Sequence, residues 1–272
     1  MFTISVIVPC LDIKRTINGC MNSINNQKYT FLKTNIEVIC VIDGNIKDLE
    51  YIKKWQKKNM NNLKFELKII FLNQNNGAGF ARNIGYQNSK GDFITFLDDD
   101  DIWADTKIEE QLNWHIKNPK KILSTHYYSN GNDYVNKRMR KIKEITFKDL
   151  LIGGVRVATP TIMIRKSIWD HHPEKMRYCE DWLMVSMIAS NQNIYIIPKL
   201  LAYRSKEALP RNKDKLSLSN QKLKLRFGKV KCLFILYKRG KIDLLKLSAL
   251  IIFQIILFLR SPFNSIFRHI RI

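Results

Sequence analysis

Apolar residues in the first hundred positions come in short unbroken runs separated by longer stretches of helical period. Residues 4–8 form a β-branched run closed by Pro9. Residues 37–42 form a second, closed by Asp43-Gly44-Asn45, which is turn chemistry. Residues 93–97 form another, and residues 65–72, with Glu66 and Lys68 among apolar positions, read as a strand too. Unbroken runs of this length predict strands buried on both faces. Between them, residues 13–27 place Ile17, Cys20, Met21 and Ile24 on one helical stripe. Residues 48–58 and 80–88 also read as helices, and residues 73–79 as a polar loop with two glycines.

Strand and helix in strict alternation imply a parallel sheet with crossover helices. Ligands of such sheets bind at the carboxyl ends of the strands. Those ends are residues 9–12, 43–45, 73–79 and 98–101, and three of the four carry Asp.

Beyond Trp103 the alternation fades. A helix is expected at 107–117, strands at 122–128 and 157–165, and a helix at 180–190. Short strands are expected at 194–197 and 200–204 around Pro198. From Lys215 two helices are expected, broken near Gly240 and stopped at Ser261-Pro262. The expected organisation is a catalytic domain over 1–211, with a nucleotide-binding half 1–103 and an acceptor-binding half 104–211. A helical tail over 212–272 follows.

Composition sharpens this outline at three points. The net charge of +22 favours anionic partners. Residues 212–272 hold fourteen Lys or Arg against only Asp214 and Asp243. Residues 247–259 have only Ser248 and Gln254 as polar positions, flanked by Lys246 and Arg260. Thirteen residues are short of the roughly twenty needed to span a bilayer. Charge beside oil therefore suggests a helix lying in an anionic membrane surface, against the plainer reading of a helix packed on the domain. Nucleic acid is not expected, because the aromatic interleaving is too apolar. The five cysteines show no metal-binding spacing and read as reduced and buried. The opening run is too short and uncharged for a secretory leader. The expected location is cytoplasmic, peripheral on the inner face of the cell membrane.

The chemistry concentrates at Asp98-Asp99-Asp100-Asp101. Four adjacent carboxylates at the end of a buried strand repel one another, and a cation would relieve them. Oxygen ligands favour Mg²⁺ or Mn²⁺ over zinc. A solvated acidic turn capping the next helix is the bland alternative.

These residues resemble family 2 glycosyltransferases in order along residues 3–205. Ser5-Val6-Ile7-Val8-Pro9 resembles the family's opening strand. Val41-Ile42-Asp43-Gly44-Asn45 resembles its V-D-D-G-S turn. Asn76-Gly77 and Ala81-Arg82-Asn83-x-Gly85 resemble its N-x-G … A-R-N-x-G segment. Gly91-Asp92-Phe93-Ile94-Thr95-Phe96-Leu97-Asp98-Asp99-Asp100-Asp101 resembles its G-x-Y-I-x-F-L-D-x-D-D stretch. Glu180-Asp181-Trp182 and Tyr203-Arg204 resemble later E-D and Y-R motifs.

The resemblance implies an α/β GT-A fold, a Rossmann-like mixed sheet flanked by helices with a C-terminal helical extension. It also implies inverting sugar transfer from a UDP-sugar donor to a glycan acceptor, with a lipid-linked surface polysaccharide or lipopolysaccharide intermediate expected. Asp43 would bind the nucleobase, and the loop from Pro9 to Asp12 would line it. Asp98 would touch the ribose or a metal-bound water. Asp100 would ligate a divalent metal, Mn²⁺ or Mg²⁺, together with Asp98. Arg82 and Arg204 would support the nucleotide and its diphosphate. Asp181 would be the general base. Three positions depart from the pattern: Ile42 stands where Asp is usual, Asp12 where Asn is usual, and Asp99 where a small residue is common. Asp99 is expected to face solvent or to shift the metal, and Asp101 to support the loop.

His171 and His172 read as a loop pair or an acceptor contact. Trp103 and Trp182 read as packing or as platforms for a sugar face. Two other activities fit the chain less well. A nucleotidyltransferase needs a Gly-rich, basic loop after the first strand, where Pro9-Cys10-Leu11-Asp12 stands instead. An inactive membrane scaffold would not need Asp98, Asp100 and Asp181.

Overall fold

The computed structural model describes residues 1–28, 34–129, 142–152, 157–168, 176, 178–208 and 222–260. Its first half follows the apolar runs: β1 (Phe2–Cys10), α1 (Ile17–Asn25), β2 (Thr34–Asp43), α2 (Ile46–Asn59), β3 (Glu66–Leu72), α3 (Ala78–Gln87) and β4 (Phe93–Phe96). A 3-10 turn at Ile13–Arg15 precedes α1, so the expected helix from residue 13 is split. The second half holds β5 (Asp101–Trp103), α4 (Lys107–Lys117), β6 (Leu123–Ser129), β7 (Lys143–Ile145), α5 (Phe147–Leu151), β8 (Met163–Arg165), α6 (Glu180–Ala189), β9 (Ile194–Arg204), α7 (Lys222–Lys238) and α8 (Leu244–Arg260).

The nine strands among the described residues join one sheet in the order β3-β2-β1-β4-β8-β6-β9-β5, with β7 also paired to β9. The β3-β2-β1-β4 part is parallel. Beyond it β8 runs antiparallel to β4 and β6, and β5 antiparallel to β9. The result is a mixed sheet flanked by helices, of the GT-A type.

Burial on both faces explains the unbroken runs. Ile4, Val6, Val8 and Cys10 pack with Ile17, Cys20, Met21 and Ile24 of α1. Ile7 points the other way and joins Ile94, Phe96 and Met184. Ile39 and Val41 meet Ala81 of α3. A Cβ on Gly85 would come within 2.4 Å of Ile7 Cγ2, so glycine sets how closely α3 lies on the sheet. Pairing of β1 with β4 ends at Ile7, so Pro9, which has no N–H, lies past the last rung on that side.

Three expected strands differ in form. Residues 157–165 hold a 3-10 turn at Thr159–Thr161 before β8, because Pro160 favours a turn over a ladder. Residues 194–204 form one strand through Pro198. There β9 has left β7 at Ile196 and has not reached β5 at Ala202, while the β6 register shifts past His126. The missing N–H therefore breaks no rung.

The C-terminal helices are not free of the domain. Cys232, Leu233, Leu236, Ile242, Leu247 and Leu250 share a core with Leu151, Met176, Leu183 and Met187. The apolar run of α8 thus turns one side onto α7 and the domain. No helix among the described residues is long and apolar enough to cross a membrane.

Candidate active site

The parallel strands end together, and their ends carry the acidic residues. At the end of β1, Asp12 takes a left-handed conformation (φ 59°, ψ 45°). Asp48 of α2 holds it there by accepting from Asp12 N at 2.7 Å and Ile13 N at 3.3 Å. Asp12 itself is exposed, and its carboxylate accepts from Asn45 Nδ2 at 3.4 Å.

At the end of β2, Asp43 is buried. Its two oxygens accept from Asn76 N and Gly77 N, both at 2.8 Å. The carboxylate thereby ties the β2 end to the loop before α3. Gly44 follows with φ 84°, and a Cβ there would meet Asn75 N at 2.3 Å, so only glycine fits the turn.

The end of β4 separates the four aspartates. Asp101 N donates to Asp98 O at 3.0 Å, closing a tight turn in which burial alternates from one aspartate to the next. Asp99 points inward and accepts from Leu11 N at 2.9 Å, locking the β1 end to the β4 end. It is buried, so the expectation that it faces solvent fails: a backbone N–H from the neighbouring strand end claims its charge. Asp101 is buried as well and accepts from Tyr128 Oη at 2.7 Å. Burial, followed by the charge of Asp98, pushes its pKa up to about 8. Asp98 and Asp100 instead keep side-chain exposures of 27% and 28%, so these two carboxylates retain contact with solvent.

Asp98 anchors a chain of contacts. Arg82 of α3 donates to Asp98 Oδ1 at 2.6 Å, and Thr159 Oγ1 donates to Oδ2 at 3.2 Å. The buried guanidinium also lies 3.7 Å from Glu180 at the start of α6. Burial alone would lower the Arg82 pKa, but Asp98, then Glu180 and Asp181, hold it above its ordinary value. Among the described residues its Nε and one terminal nitrogen have no hydrogen-bond partner. Glu180 lies flat on Gly79, where a Cβ would come within 2.5 Å of Glu180 Cγ. Burial raises the Glu180 pKa.

Asp181 is half-buried in the first turn of α6 and accepts from Trp182 N at 2.7 Å. Arg204 ends β9 in register with Asp101 and reaches 3.7 Å from Asp100. Pro9, Asp12, Asp43, Asp98, Asp100 and Arg204 thus stand at strand ends and Asp181 in the first turn of α6, while Arg82, inside α3, links Asp98 to Glu180.

The donor set suits a hard divalent cation. Such ions take one or two carboxylates, with substrate phosphates and water completing the shell. Asp98 and Asp100 offer partly exposed carboxylates, and Arg204 lies 3.7 Å from Asp100. Among the described residues no three His, Cys, Asp or Glu side chains converge into an all-protein cage.

Several contributors were not expected from the sequence. Thr159 lies in a turn with no motif of its own. Asp48 and Tyr128 act on residues 36 and 27 positions away. Glu180 was legible only as half of the E-D pair. The buried His115 and His126 have pKa values pushed down to about 3 by burial, so they stay neutral at physiological pH. Trp103 donates from its indole N–H to Pro160 O at 2.8 Å and lies under the Lys107 amine. Trp182 donates to Leu150 O at 3.2 Å. Both indoles are tied into the fold. Cys10, Cys20, Cys40 and Cys232 are buried free thiols, and burial raises the pKa of Cys10 and Cys20. His171 and His172 lie outside the described residues.

The sequence profile described as Glycosyl transferase family 2 matches residues 5–172. An uncharacterized glycosyltransferase of Haemophilus influenzae is 32% identical over 169 residues, covering 61% of this chain and 63% of the relative. The chain spans a smaller share still of other relatives. An Escherichia coli protein named UDP-Glc:alpha-D-GlcNAc-diphosphoundecaprenol beta-1,3-glucosyltransferase WfgD is 24% identical over 196 residues, 72% of this chain and 73% of that one. The crystal structure of S. aureus TarS 1-349 with UDP-GlcNAc superposes with a TM-score of 0.61 at 23% identity. It covers 85% of this chain and 66% of that one, a likeness of fold.

Proposed function

The chain belongs to glycosyl transferase family 2, and from that premise we propose that it is an inverting, metal-dependent enzyme. It moves a hexose or N-acetylhexosamine from a UDP-sugar to a lipid-linked glycan of a bacterial surface polysaccharide or lipopolysaccharide. It works at the inner face of the cell membrane. One observation carries the reading: at the β4 end, Asp99 and Asp101 are turned inward by the fold, while Asp98 and Asp100 stay open beside Arg82 and Arg204. The E. coli relative's name supports a diphospholipid-linked acceptor. The UDP-GlcNAc complex of TarS supports a UDP-sugar donor.

In this reading the Pro9–Asp12 loop lines the nucleobase. Each Asp43 oxygen accepts one backbone N–H and keeps a second lone pair for the N3–H of uracil. Asp98 lies against the ribose side, fixed by Arg82 and Thr159. Arg204 closes over the diphosphate. Arg82, ion-paired with Asp98 and Glu180, takes part in charge balance as the donor enters.

Asp100, with Asp98, would hold the cation, which when bound stabilises the negative charge gathering on the departing diphosphate. The Asp181 carboxylate takes the proton of the acceptor hydroxyl. That oxygen bonds to the anomeric carbon as the bond from this carbon to the diphosphate oxygen breaks, and UDP leaves. A base and a leaving group on opposite sides of the sugar invert its configuration. A positioned carboxylate base contributes about 10²–10⁴-fold in rate.

The test is a panel of UDP-sugars with Mn²⁺ or Mg²⁺, read by UDP release and by thermal stabilisation. Wild type is expected to release UDP from at least one donor, and Asp100→Ala to lose the metal response. If no donor shifts the melting temperature and Asp100→Ala behaves as wild type, the reading is wrong.

A further inference from the structure

The C-terminal hairpin carries a face that the reaction does not use. α7 exposes Lys224, Phe227, Lys231, Phe234 and Lys238. Their spacing alternates between three and four, which places them on one stripe with each phenylalanine between two lysines. Phe227 is 73% exposed and Phe234 45%. On the adjoining helix, Leu245, Ile252, Ile255 and Ile256 are exposed too. Isolated exposed apolar residues are ordinary, but rings set in register between cations over four turns are not.

The far side of α7 is packed on the turn that carries Asp181. A Cβ on Gly228 would lie 2.8 Å from Tyr178 Cβ. Cys179 Sγ donates to Leu225 O at 3.3 Å, and Cys232 Sγ donates to Cys179 O at 3.4 Å. The Lys229 amine lies 4.4 Å from the centre of the Trp182 ring. One helix therefore touches the catalytic turn with one face and offers the Lys–Phe stripe with the other.

We infer that this stripe docks flat on an anionic lipid surface, with the two rings at the acyl boundary and the lysines among the phosphates. Residues 222–239 hold seven Lys or Arg and no acidic residue, which matches such a surface. A second copy of the chain would set the same cations against one another. The docking stands on the exposed stripe alone; what it means for the acceptor rests on the function proposed above. A helix is about 10 Å across, so the Tyr178–Trp182 turn stands that far from the lipid headgroups. The matching acceptor is one whose reacting sugar sits close to its lipid anchor, not the far end of a long chain.

The test is co-sedimentation of the full-length protein with vesicles. One set mixes phosphatidylglycerol with phosphatidylethanolamine, and the other is phosphatidylcholine alone. Binding to the anionic set only, weakening as salt rises, is expected. Phe227→Gln/Phe234→Gln is expected to bind about tenfold more weakly, with UDP release and melting temperature unchanged. Lys224→Glu/Lys231→Glu, which keeps both rings, must weaken binding as well. Equal binding to both vesicle sets, or undiminished binding by either variant, overturns the inference. So does a wild-type dimer that the phenylalanine variant dissolves, since a second copy would then cover the stripe. UDP release on the same samples separates the two claims: a protein inactive on every donor that still binds through the stripe loses the enzymatic reading and keeps the docking surface.

Discussion

Asp99 offers the sharpest separation between a carboxylate that builds the site and one that serves it. In Asp99→Ala, the Leu11 N–H loses the oxygen 2.9 Å away that ties the β1 end to the β4 end. A hydrogen bond to a charged group contributes about 1.5–3 kcal/mol, and an orphaned donor costs further unless water reaches it. Leu11 is only half-buried, so water recovers part of that loss. Removing one carboxylate from this acidic cluster returns another part. The net expectation is about 1–2 kcal/mol of destabilisation, a fall of roughly 3–6 °C in melting temperature for a chain of this size. UDP binding should weaken as well, because the loop that lines the base comes loose. The concentration of Mn²⁺ giving half-maximal rate should stay where it is. Thermal melting and metal titration on the same preparation read both. Asp100→Ala should lose its metal response. If Asp99→Ala melts with wild type but needs more metal, the assignment of inward and outward carboxylates is wrong.

Asp181→Asn should keep donor-induced thermal stabilisation and lose transfer by about 10²–10⁴-fold; transfer at the wild-type rate would remove Asp181 as base. Gly79→Ala drives a methyl into Glu180, 2.5 Å from its Cγ. It should destabilise by about 1–3 kcal/mol despite the better helix propensity of alanine, and a crystal structure should show Glu180 displaced from Arg82. His126 is neutral and buried, with a pKa lowered by burial to about 3 from 6.5. The unfolded chain protonates this histidine first, so its contribution to stability is complete above pH 6.5 and is lost as pH falls towards 3. The slope is about 1.4 kcal/mol per pH unit where only the unfolded state is charged. Asp101, with its raised pKa, works in the opposite direction. The readout is therefore the difference in slope between wild type and His126→Gln in urea unfolding at pH 7 and pH 5. Parallel slopes would refute it.

The parallel half of this protein is legible in its chain because each of its elements is specified locally. A strand buried on two faces is mostly apolar, so residues 4–8, 37–42 and 93–97 announce themselves despite the buried Ser5, Glu37 and Thr95. Turns such as Asp43-Gly44 announce themselves too, because few residues tolerate φ 84°. The acidic run and the E-D pair were also visible, since carboxylates massed at strand ends have few structural uses. The partner of each carboxylate was not. Asp99 meets Leu11 across 88 residues, Thr159 meets Asp98 across 61, and α7 packs on a turn 46 residues before it. None of these pairs leaves a mark in local periodicity, because each partner's residue type suits many surroundings. The 3-10 turn at Thr159–Thr161 hid inside a β-branched stretch for the same reason. Sequence alone established which groups the site could use. The tertiary structure decided which of them face inward, through strand register and the direction each side chain takes from a tight turn. It also decided that the basic apolar tail shares a core with α6, because Leu247 and Leu250 found Cys232 and Leu236 to bury against.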